Sequence, residues 1–111
     1  MSEINLNGYG ENVVTVIATE GLEKGSIVKV TANYKVGACA DGNSFFGVVV
    51  NVRGGFAAVQ TKGYFKVKKS GTINLGYQEL AAASASSVKA LSGGVPCNVI
   101  AFDSTYVEFI I

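Results

Sequence analysis

The chain has 111 residues, 49% hydrophobic and only 15% charged, with 9 basic and 8 acidic side chains and a formal net charge of +1. That length favours a single domain, and the near-neutral balance excludes a broadly basic nucleic-acid coat. So low a charge content, beside about a quarter in ordinary globular chains, leaves few polar groups to cover a monomer, so apolar surface is expected to be buried against a neighbour.

No apolar run reaches the ~18 residues of a membrane span, and no membrane partner is expected. The opening MSEINLNGYGEN lacks the basic and apolar regions of a secretory signal, so cytoplasmic synthesis is the expectation. Residues 1–12 read as a polar, extended arm. Within it Ile4 and Leu6 alternate with Glu3, Asn5 and Asn7, and Tyr9 stands between Gly8 and Gly10. A period of two suits a strand added to a foreign sheet edge, which makes Ile4, Leu6 and Tyr9 candidate partner contacts; a frayed terminus is the other reading.

Residues 13–111 are expected to form one β-barrel domain. VVTVIAT (13–19) is β-branched almost throughout, which favours a strand. EGLEKGS turns the chain, SIVKVTA (26–32) is a second strand, and 33–44 is a long loop with an Asp41-Gly42 turn signal. Gly54-Gly55 suits a two-residue hairpin, because a type I′ turn needs positive φ at both centres. Strict pairing about that turn opposes Arg53 to Phe56, Val52 to Ala57, Val50 to Val59 and Val48 to Thr61. Alternation then puts Val48, Val50, Val52, Ala57, Val59 and Thr61 on a core face. The other face, with Val49, Asn51, Arg53, Phe56, Ala58 and Gln60, is mixed, as a half-solvated or partner-covered face would be.

Gly63 breaks the pattern as a bulge or bend. YFKVKK resumes it, with Phe65 and Val67 inward and Lys66 and Lys68 outward. Residues 70–80 read as a loop or bent connection, and AAASASS (81–87) as strand or loop with one helical turn as an option. SVKALSGG reads as a strand before a glycine break. VPCNVIAF and TYVEFII are the last two strands, joined through Asp103-Ser104, with Pro96 at an edge or strand start. About eight short strands and no convincing long helix make an all-β class, a small barrel or sandwich. No internal repeat stands out as a solenoid or propeller blade.

Reaction chemistry is scarce. Without histidine there is no imidazole base, no Ser–His or Cys–His dyad and no histidine metal ligand. Cys39 and Cys97 lie far apart outside any CxxC pattern and read as buried thiols, with a bridge between them left open. The carboxylates fall mostly in turns or the arm, and Asp41-Gly42-Asn43 lacks the ligand run of a calcium loop. No catalytic, metal or cofactor site is expected. The one charge feature is Lys62, Lys66, Lys68 and Lys69, interleaved with Tyr64 and Phe65. It suits an edge strand guarded by lysines, a nucleic-acid backbone track, or contact with an acidic patch on a partner. Arg53 and Phe56 join these lysines as candidate outer-face contacts.

GLEKGSIVKVTANYKV followed by FFGVVV, VQTKGYFKV and INLGYQEL resembles the layout of small phage proteins that decorate or cement capsid heads. The matching positions are Gly25, Val28 and Val30; Gly47, Val48 and Val49; Gly63, Phe65 and Val67; and Gly76 with Leu80. The chain departs from that layout at Gly76-Tyr77, where relatives often carry Gly-Asp, and at Lys68-Lys69, where a proline often follows. The resemblance implies a small, mostly β, non-enzymatic protein, often a homotrimer. It would be made in the bacterial cytoplasm and assembled on the virion, with the phage major capsid protein as partner. A small nucleic-acid-binding barrel using the Lys62–Lys69 strand, and a head–tail or tail-tube component, are the competing readings.

Overall fold

The valine-rich runs and glycine turns close into two small β-barrels in a computed structural model that describes residues 12–111. Ten strands follow in chain order: β1 (Asn12–Ala18), β2 (Ile27–Ala32), β3 (Lys35–Ala38), β4 (Gly47–Arg53), β5 (Phe56–Lys62), β6 (Tyr64–Lys69), β7 (Gly76–Ala82), β8 (Ser87–Ala90), β9 (Val95–Phe102) and β10 (Tyr106–Ile110). The first ring runs β1-β3-β2-β4-β5 and back to β1; the second runs β10-β6-β8-β7-β9 and back to β10. Closure pairs most of the strand edges that an open sheet would expose.

The two rings repeat one topology. β1 lies parallel to β3 and antiparallel to β5, as β6 lies parallel to β8 and antiparallel to β10. β2 pairs β3 and β4 antiparallel, as β7 pairs β8 and β9. One irregularity matches as well: a register shift leaves Val50 of β4 unpaired and another does the same to Ile100 of β9, whereas the shifts at Thr31 and Thr61 of the first ring have no counterpart in the second. No repeat of the solenoid or propeller kind stands out in the sequence; this duplication is one of topology, carried by different side chains.

Several expectations change accordingly. The loop predicted at 33–44 contains β3, and the connection predicted at 70–80 contains the start of β7. Short strands of four residues, cut off by Tyr34 at φ 58° and by glycines, leave too little alternation to read. No helical turn forms at 81–87: β7 runs to Ala82, and bends lead into β8. The Gly54-Gly55 hairpin forms with Arg53 opposite Phe56 and Val52 opposite Ala57, and both glycines have positive φ. Beyond Ala57 the bulge at Val50 shifts the register. Val49 meets Val59 and Val48 meets Gln60, in place of Val50 with Val59 and Val48 with Thr61. Ala57 and Val59 point inward as expected, but Val49, expected outside, is buried, and Val52 is exposed. One extra residue in a strand re-aims every side chain beyond it.

Two apolar clusters fill the molecule. The first barrel holds Leu22, Val28, Val36, Val49, Ala57 and Val59. The larger cluster centres on the second barrel, where Phe109 stacks on Phe65 with centroids 5.2 Å apart and meets Phe45 at 6.4 Å. Ile27, Cys39 and Phe45 reach it from the first half of the chain, so the barrels share this core. Main-chain bonds stitch the seam: Gly42 N–H to Ala82 O, Ala82 N–H to Asn43 O, and Ile27 N–H to Ala85 O. Lys89 pairs with Asp41 across the same seam at 2.7 Å.

Phe109→Ala should cost about 3–5 kcal/mol, the range for emptying a buried aromatic site, whereas exposed Phe56→Ala should stay within about 0.5 kcal/mol. Urea unfolding of the two variants checks this; equal losses would contradict the assigned core.

Candidate protein-binding surfaces

Two surfaces concentrate the side chains singled out from sequence. The outer face of the first barrel is built by alternation on β1, β5 and β4. Ile17 lies beside Phe56, which lies beside Arg53, and Thr15, Ala58 and Asn51 form the next row; Gln60, expected on this face, is instead buried past the register shift, its side-chain amide donating to Lys62 O and Tyr64 O. Phe56 is 52% exposed, Ile17 43% and Val13 46%. A shallow cavity of about 310 Å³ opens between Thr15, Asn51, Arg53 and Phe56. Arg53 and Phe56 are therefore brought together as predicted, on a face whose apolar members on β1 were not singled out.

The duplicated topology supplies an internal control for this face. In the second barrel the rows equivalent to Ile17–Phe56 and Thr15–Ala58 are Lys68–Tyr106 and Lys66–Glu108. There Lys66 Nζ sits 5.2 Å from the Tyr106 ring centre. The Tyr64 hydroxyl donates a hydrogen bond to the Glu108 carboxylate. So matched rows carry charged, internally paired side chains on one barrel and Ile17, Phe56, Thr15 and Ala58 on the other, and the shared topology does not by itself require the apolar pair.

The four lysines do not form one stripe. Lys62 ends β5 in the first barrel, opposite Asn12. Lys66 and Lys68 point outward from β6 into a cleft between the barrels. Lys69 turns the other way, over the Phe102 ring at 5.9 Å, and donates to Gly71 O at 3.1 Å. The cleft consists of hollows of about 430 and 460 Å³ that meet at Lys24, Gly25, Val48, Lys66 and Val67. Lys24 comes from the EGLEKGS turn, and nothing in the linear sequence ties it to Lys66; only the packing of one barrel on the other does. Ile4, Leu6 and Tyr9 lie outside the described residues.

The shifted titrating groups answer to burial and to backbone donors. Burial raises both thiols, Cys97 to about 11, and both cysteines are free. An activated cysteine needs the opposite shift. Asp103 is held below its usual value by the Tyr106 and Thr105 N–H groups, each 2.7 Å from its carboxylate, with Lys66 and Lys69 adding to the effect. That carboxylate caps the β9–β10 turn. Among the described residues no group of three cysteine or carboxylate side chains could hold a metal ion, and no helix is long and apolar enough to cross a membrane. No protein-family model matches the chain, and no curated protein matches it either.

Burial first, then the bond to Glu108 and its charge, push the Tyr64 phenol up to about 12. The fold thus favours its protonated form. This contribution to stability is complete below the unfolded phenol's value of about 10 and is lost as pH rises through about 12. An absorbance titration should show a tyrosine step near pH 12, and Tyr64→Phe should remove it; a step there that survives the substitution refutes the assignment.

Proposed function

We propose that this chain is a non-enzymatic structural protein of a phage or prophage that binds and stabilises the capsid exterior as an oligomer. The partner is the major capsid protein, and the contact is the apolar outer face of the first barrel. The observation that carries the reading is the contrast between equivalent faces: Ile17, Phe56 and Ala58 stand where the second barrel has Lys68, Tyr106 and Glu108. A central apolar anchor beside an arginine is the usual make-up of a protein–protein hot spot, and Phe56 with Arg53 supplies it. The layout shared with capsid-decorating proteins, the low charge content and the all-β fold fit a lattice-binding role. Repetition on a shell would multiply a modest affinity, since an oligomer engages several sites at once.

The nucleic-acid reading has less behind it. Lys66 and Lys69 already lie over the Tyr106 and Phe102 rings, which leaves those aromatics covered where a single-strand binder offers open stacking platforms.

Co-sedimentation with purified expanded heads tests the proposal. The chain should pellet with the heads and raise their heat tolerance, and Phe56→Asp with Ile17→Asp should abolish both while leaving the fold intact by circular dichroism. A chain that stays in the supernatant with expanded heads, or a double variant that binds as well as the parent, defeats it.

A further inference from the structure

β6 has one satisfied side and one largely open side. Gly63 and Ile111 exchange hydrogen bonds, and Lys69 N–H donates to Thr105 O. In an antiparallel ladder such bonded pairs recur at every second residue, so Phe65 and Val67 bond to β10 while Tyr64 and Lys66 direct their main-chain groups away from it. One consequence is visible: Tyr64 O accepts a bond from the Gln60 side-chain amide at 2.9 Å on that far side. Among the described residues β8 reaches β6 only at Lys68 and Lys69. The Tyr64 N–H and the Lys66 N–H and C=O are left facing the cleft between the barrels.

The rest of the cleft has a definite charge. Lys24, Lys66 and Lys68 line it against a single carboxylate, Glu23. Outside that lining, Glu108 accepts from the Tyr64 hydroxyl and Asp103 from two backbone N–H groups while offsetting part of the Lys66 charge. Val48, Val50 and Val67 give the hollow beside Tyr64 an apolar wall. Unpaired main-chain groups in a row accept an added strand, and alternate side-chain surroundings choose which strand.

We infer that this cleft is a strand-accepting site for an extended acidic segment of a partner protein, which pairs with Tyr64 and Lys66 of β6 and sets its carboxylates against Lys24, Lys66 and Lys68. The segment alternates acidic and apolar residues, the apolar ones resting on Val48 and Val50. The site is separate from the apolar outer face, and the inference holds whatever lattice that face binds.

A blocked peptide of alternating glutamate and valine, with its lysine–valine counterpart as control, tests this by hydrogen exchange and titration on the full chain. The acidic peptide should slow exchange of the Tyr64 and Lys66 amides by about tenfold or more and leave Phe65 and Val67, already bonded to β10, unchanged. Lys24→Gln with Lys66→Gln should weaken binding by about tenfold, an effect that salt should imitate. Either of two results overturns the inference: no added protection at Lys66 under saturating acidic peptide, or equal binding of the basic control. Tight binding that protects other amides places the peptide elsewhere and overturns it as well.

Discussion

Phe109, Phe65 and Phe45 occupy the point where the two barrels become one molecule. Phe65 and Phe109 belong to the second ring, whereas Phe45 leaves the first half of the chain to join them, with Ile27 and Cys39 alongside. A five-stranded ring of about fifty residues buries little apolar surface by itself. Sharing a core lets each ring use the other as its lid, and the seam of main-chain bonds around Ala82 and Ala85 satisfies polar groups that this contact desolvates. The cleft owes its shape to the same contact, because Lys24 and Lys66 approach one another only when the rings are docked.

Duplication gives the molecule its interpretive value. The two rings share their strand order and one bulge, at Val50 and at Ile100, so the positions of their paired strands can be matched row by row. Inward positions are apolar in both, as packing demands: Ala57 and Val59 answer Val107 and Phe109. Outward positions are free to differ, and they do. In the matched rows the second ring carries Lys68, Tyr106, Lys66 and Glu108, and the first Ile17, Phe56, Thr15 and Ala58, although the second ring exposes Ile100 and Phe102 elsewhere. Apolar exposure scattered over a surface needs no explanation; the contrast lies in Ile17 and Phe56 standing side by side where the other ring has Lys68 and Tyr106.

Much of the fold was legible because it was written in period two. The β-branched run of β1, the Gly54-Gly55 turn and the Phe65–Val67 alternation each fix a strand or its facing without reference to distant residues. The failures share one cause. At Val50 a single unpaired residue inverted the facing of Val49, and no local signal marks a bulge in a run of valines. β3 and the start of β7 were lost because four-residue strands, or strands opening on glycine, carry too little pattern. The repeat was hidden because it survives in hydrogen-bond register and not in residue identity. Arg53 and Phe56 were foreseeable as neighbours, since a two-residue turn fixes them. The meeting of Lys24 with Lys66 was not, being a property of how the rings dock.

The two interiors also differ in substance, Leu22, valines and Ala57 filling one ring and three phenylalanines the shared cluster beside the other. Truncating one aromatic there removes far more buried surface than shortening any valine of the first ring. The greasy flank is thus borne by the half whose interior is built from the smaller pieces, at a distance from the aromatic stack that joins the halves.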